Sequence, residues 1–137
     1  NCARGASLMT GARVEVTRDK YTTYDIRNNP LLVKLLVENL HSLGITPTPT
    51  ADPLRTAGST DIGNVSYEVP TCYTYMGTIE AGAGPARTHE AAFLDVADAD
   101  IAHRLLHQGA KAMAASALDP YLRPELVAEL KKTKYPL

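Results

Sequence analysis

Four histidines, His41, His89, His103 and His107, are the side chains of this 137-residue chain best suited to hold a metal or move a proton near neutral pH. Their settings differ. His89 closes the stretch from Glu80 to Thr88, which holds two glycines and a proline and follows a strand-like run. Such a stretch must be a loop of unusual backbone geometry, and functional groups concentrate on loops carried at the ends of rigid elements. By residue type alone, a loop histidine is more often a plain surface residue than a ligand. His103 and His107 are spaced i, i+4 on an expected helix, where two imidazoles can share one metal. The H-E-x-x-H pattern that uses this spacing needs a Glu after the first His, and Arg104 stands there, so the pair reads as a solvated helix face. His41 falls near the end of another expected helix, where a cationic ring complements the helix dipole, and it reads as structural.

The other reactive residue types give less. Cys2 and Cys72 form no C-x-x-C pair and have no neighbours that would lower a thiol pKa, so both read as small buried hydrophobes. Gly82-Ala83-Gly84 lacks the continuation that a dinucleotide-binding turn requires. Ser59 and Ser66 lie outside any G-x-S-x-G context, which leaves a serine hydrolase unsupported.

These groups need a scaffold, and the composition bounds it. With 45% apolar and 21% charged residues, the chain reads as a folded soluble protein with one compact core. A net charge of -1 and a pI near 6.5 remove the electrostatic reason to expect nucleic acid or an anionic membrane as partner. Polar residues interrupt every apolar stretch well short of the roughly 20 residues that cross a bilayer. Two distant cysteines do not make a disulfide framework, so a reducing, cytoplasmic setting is expected. The chain starts with neither Met nor a signal-peptide pattern, which suggests a beginning inside a longer polypeptide.

Along the chain, Ala3 to Thr10 reads as a short helix stopped by Gly11. Val14 and Val16 alternate with polar residues, and Tyr21 to Tyr24 is rich in β-branched and aromatic residues, so this region predicts one bent strand or a hairpin. Asn29 supplies an N-cap oxygen, Pro30 suits the first helical position, and apolar residues recur through Leu43 before Gly44. That predicts a helix with Leu32, Leu35, Leu36 and Leu40 on one stripe. Thr46 to Pro53 carries three prolines and reads as a linker or long loop. Val65 to Val69 and Cys72 to Ile79 are strand-like, with Pro70 between them implying an edge or a bend. A long Ala-rich helix is expected from Asp98 or Asp100 to Leu118, stopped by Asp119 and Pro120. Arg123-Pro124-Glu125 opens a last amphipathic helix with Lys131, Lys132 and Lys134 at its end.

The stretch Gly58-Ser59-Thr60-Asp61-Ile62-Gly63-Asn64-Val65-Ser66-Tyr67-Glu68-Val69-Pro70 resembles the signature Gly-Ser-Thr-Asp-x-Gly-Asn-Val-Ser-x-x-Val-Pro of zinc-dependent amidohydrolases of the aminoacylase and carboxypeptidase superfamily. Within that superfamily it is most like the branch of aminobenzoyl-glutamate utilisation and dipeptide hydrolysis. His89 falls where the family has a His-Thr element, although here Thr88 precedes the histidine. Ala110-Lys111-Ala112-Met113-Ala114 through Asp119 is similar to the family's closing Ala-Lys-Ala-x-Ala helix, and Pro124-Glu125-Leu126 to its last helix. Gly5 to Gly11 and Asn29-Pro30 resemble the passage from the family's small lid domain back to its catalytic domain. The chain departs from the pattern after Pro70, where Thr71-Cys72-Tyr73 replaces a segment that often contains a histidine.

The resemblance implies an α/β fold: the C-terminal part of a three-layer, mixed-sheet, zinc-peptidase-like catalytic domain over 26–137, preceded over 1–25 by the end of a small α+β lid domain. It implies hydrolysis of an amide bond in an N-acyl amino acid, an aminobenzoyl-glutamate-like compound or a dipeptide. Two divalent ions, expected to be zinc, would polarise the scissile carbonyl and activate a water molecule in the complete protein. His89 alone here matches a metal-ligand position, and the remaining ligands and the general-base Glu would lie upstream of Asn1. Asp61, Asn64, Ser59 and Thr60 would line or buttress the substrate pocket through hydrogen bonds; the plainer reading is that they build a tight turn. Implied partners are the substrate, the rest of the catalytic domain and, through the lid, a second copy of the complete protein. The alternative is a binding or assembly module that keeps the fold without a complete metal site.

Overall fold

Asn29 organises the start of the second helix. In the computed structural model, which describes residues 1–47, 60–78, 82, 86 and 88–132, its side-chain oxygen accepts from the backbone N–H groups of Leu31 at 3.0 Å and Leu32 at 3.1 Å. Those donors have no partner within the helix, and Pro30 at its start has no N–H to satisfy. This helix, called α2 because α1 (Cys2–Thr10) precedes it, runs Pro30–Ser42. Gly44 at φ 76 turns the chain away, a left-handed conformation that glycine adopts without a Cβ penalty. Asn29 is only 2% exposed, and its amide nitrogen donates to the carbonyl of Leu130 at 3.4 Å, near the end of the last described helix.

The remaining helices are α3 (Ile62–Glu68), α4 (Phe93–Ala97), α5 (Asp100–Leu122) and α6 (Glu125–Lys132). The core forms where α2 and α6 pack against α5, with α4 on the same helix. Leu35 and Leu40 of α2, Ala102 and Ala112 of α5, Leu126 and Leu130 of α6, and Val96 of α4 are its buried apolar residues. A polar seam fixes the α2–α5 register: Asn39 donates to the Ser116 hydroxyl at 3.1 Å and to the Asp119 carboxylate at 2.9 Å. Glu125 in the first turn of α6 and Lys131 and Lys132 in its last match the helix dipole.

The structure departs from the sequence expectations first in its helices and cysteines. The long helix continues past Asp119 and Pro120 to Leu122. Proline inside a helix removes one backbone hydrogen bond and crowds the preceding turn, but Asp119 is held by both Asn39 and the Arg123 guanidinium, at 2.5 Å, and these bonds stabilise the final turn. Val65 to Val69 is helical through Glu68, not a strand. Its buried residues, Gly63, Ser66 and Tyr67, follow three- and four-residue spacing while Val65 and Val69 are exposed, so the strand-like composition is carried on a helix that buries one face. Cys2 is exposed, because α1 has no buried residue at all; Cys72 is half-buried, and that burial pushes its thiol pKa up.

The described residues are mostly helical and contain no strand; an isolated parallel bridge joins Asn28 to Thr71. The expected mixed sheet is therefore not seen among them. Residues 12–24, expected as a strand or hairpin, are exposed and form no element, and residues 72–78 are without secondary structure. A strand needs a neighbouring strand in ladder register, and among the described residues these segments have none. Gly11 ends α1 at φ 70, and α2 and α6 occupy their expected ranges. Most of the Thr46 to Pro53 linker, Ile79 and Lys134 lie outside the described residues. Among the described residues no helix is long and apolar enough to cross a membrane.

Candidate functional site

The signature stretch builds α3, and α3 grips a segment some 40 residues earlier in the chain. Thr60 starts the helix, its hydroxyl accepting from the backbone N–H of Ile62 at 3.3 Å. Gly63 then passes so near the backbone of residue 24 that a Cβ there would sit 2.0 Å from the Tyr24 carbonyl oxygen and 2.8 Å from its carbonyl carbon. Neither atom can move aside as a flexible side chain can, so the position requires glycine for space alone.

Asn64 uses both ends of its amide on that same segment. It donates to the Thr22 carbonyl at 2.7 Å and accepts from the Tyr24 N–H at 3.0 Å, treating residues 22–24 as a neighbouring strand would. Ser66 donates to the Gly63 carbonyl at 2.6 Å and accepts from the Arg27 N–H at 3.0 Å. Tyr67 is buried, and its hydroxyl donates to the Asp25 carboxylate at 2.5 Å. That bond holds the Asp25 carboxyl below the usual carboxylate range and raises the Tyr67 phenol above its own. The Tyr67 ring also lies 5.0 Å from that of Tyr24, with the Arg27 guanidinium 3.9 Å over its face.

The chain leaving α3 is tied to the same segment. Asn28 accepts from the Tyr73 N–H at 2.7 Å and donates to the Tyr73 carbonyl at 3.2 Å, while the Asn29 N–H donates to the Thr71 carbonyl at 2.7 Å. Residues 22–29 are thus fastened to 63–73 from end to end.

The residues singled out from sequence are distributed as follows. Thr60 and Asn64 are in this fastening, Thr60 as the helix starter and Asn64 as the backbone clamp. Asp61 is exposed at the head of α3, its carboxylate 3.5 Å from the Thr60 hydroxyl. Ser59 lies outside the described residues. Sequence reasoning did not single out Gly63, Ser66, Tyr67, Asp25 or Asn28, although the three- and four-residue spacing of the first three was available as a signal.

His89 is exposed in the turn that enters α4, and it has φ 74, the only positive φ at a non-glycine residue among those described. A side chain with a Cβ holds the left-handed conformation at a cost of about 1 kcal/mol, and such outliers gather at functional sites. Among the described residues no hydrogen bond links His89 to α3, and no three His, Cys, Asp or Glu side chains gather where they could hold a metal. His103 lies 3.3 Å from Asp98 on the surface, and His107 is exposed on the same helix. His41 occupies the last turn of α2, as expected.

No family model matches this chain, and no solved structure matches it. Two curated proteins do. The Xaa-Arg dipeptidase of Mus musculus is 32% identical over 135 residues, which is 96% of this chain and 30% of that protein. The Xaa-Arg dipeptidase of Homo sapiens is 32% identical over 133 residues, with the same coverage of 96% and 30%. The chain therefore spans about 30% of the length of the curated relatives it matches, and over nearly all of its own length it is a distant relative of proteins of the dipeptidase type.

Proposed function

We propose that this chain is one part of a metal-dependent dipeptidase, to which it contributes a single metal ligand, His89. The observation that carries this reading is the similarity to two Xaa-Arg dipeptidases across 96% of the chain, signature stretch and His89 region included. The left-handed backbone at His89 supports it, since a strained histidine on an exposed turn serves no packing purpose. In this reading the substrate is a dipeptide, with arginine as the second residue after the named activity of the relatives, and the scissile bond is its amide.

In this reading the contribution of this chain is one neutral imidazole nitrogen, with its partners supplied by further polypeptide. A divalent ion held there, zinc in this proposal, would supply a Lewis acid for the amide carbonyl and a water of lowered pKa. Residues 1–25 would close a lid domain through which complete copies pair, and the three-layer mixed sheet would be built largely by polypeptide beyond the described residues. Asp61 and Thr60 would border the pocket while Asn64 steadies it through its hold on Thr22 and Tyr24. A cytoplasmic location completes the proposal.

The test is hydrolysis of Xaa-Arg dipeptides by the complete protein before chelation, after chelation, and after zinc is restored. Loss and recovery of turnover are expected. Turnover indifferent to chelation would discard the metal, and no turnover on any dipeptide or N-acyl amino acid would leave the non-catalytic module as the better reading.

A further inference from the structure

We draw no further inference here: the strongest candidate, the outward apolar face of α5 carried by Leu106, Met113 and Tyr121, is an unpartnered helix face, and nothing in the structure shows what covers it.

Discussion

Gly63 and Tyr24 meet backbone to backbone, with the Tyr24 carbonyl oxygen occupying the space where any side chain at position 63 would begin. Gly63→Ala must therefore push α3 away from residues 22–27 and disturb the bonds made by Asn64, Ser66 and Tyr67 along with it. The expected loss is ~2 kcal/mol or more, at the upper end of what overpacking costs. Urea denaturation of the two proteins checks this, and an unchanged midpoint would refute the contact.

Asn64→Ala removes one acceptor and one donor that hold Thr22 and Tyr24. Because the site is exposed to water, a loss of about 1 kcal/mol is expected and not the larger cost of a buried orphan group. The sharper readout is local. Hydrogen exchange at the Tyr24 amide should accelerate in the variant, while amides in the middle of α5 keep their protection. Equal acceleration at both would show that Asn64 acts on global stability only.

His89 allows its backbone and its imidazole to be separated. His89→Gly relieves the left-handed strain and should leave the fold at least as stable as before, within about 1 kcal/mol. If the imidazole is a metal ligand, the same variant of the complete protein should lose at least ~100-fold in metal affinity or turnover, the upper end of what even a ligand's supporting partners contribute. His89→Asn, which tolerates the same backbone but cannot replace the ring, should behave alike. Metal content and turnover retained in both variants would remove His89 from the site.

The Tyr67–Asp25 bond carries a pH signature whose sign is set at both ends. Asp25 has its carboxyl pKa lowered in the folded chain, chiefly by the Tyr67 hydroxyl, so its stabilising effect is present above the ordinary value of 3.8 and is lost as pH falls through the folded value. Tyr67 has its phenol raised from 10.0, chiefly by Asp25, so its effect is present below that value and lost as pH rises through the folded one. Tyr67→Phe should be less stable than the natural chain by a constant margin from about pH 5 to 9, narrowing in stronger acid and stronger base. A margin that does not narrow in acid would mean that the carboxylate is not the partner.

If His89 is the one metal ligand of this 137-residue chain, the chain by itself should hold no stoichiometric zinc and show no amidase turnover in metal analysis and an activity assay, since a lone imidazole cannot replace a full ligand set. One zinc per chain, or turnover, would show that the chain completes a site on its own.

The helices legible in the sequence are α5, by its long Ala-rich run from Asp100, and those marked at their ends. Asn29-Pro30 before α2 and Gly44 after it, Gly11 after α1, and the opposed charges of α6 act within one or two turns, so local pattern suffices to place them. The stretch Val65 to Val69 misleads because a short run of strand-like composition has the same letters whether it joins a sheet or folds into two helical turns; what decides is the contact of Gly63, Ser66 and Tyr67 with residues 24–27. Pro120 misleads for a similar reason, since its penalty is local and the bonds from Asn39 that support the turn come from another helix. At the candidate site, residue identities were readable in the signature, yet the clamp formed by Asn64 joins positions about 40 apart, which no local periodicity encodes. The expected sheet rested on composition and resemblance, and strands appear only where partners exist to pair with them.

The bond from Asn29 to the Leu130 carbonyl joins positions separated by 101 residues. During synthesis the start of α2 emerges long before α6, so this bond must wait until nearly all of the described chain has left the ribosome. Closing so long a loop is slow and entropically costly, and α6 therefore acts as a late-arriving keystone: a chain truncated ahead of Glu125 would lack the carbonyl that meets the head of α2 in the finished fold.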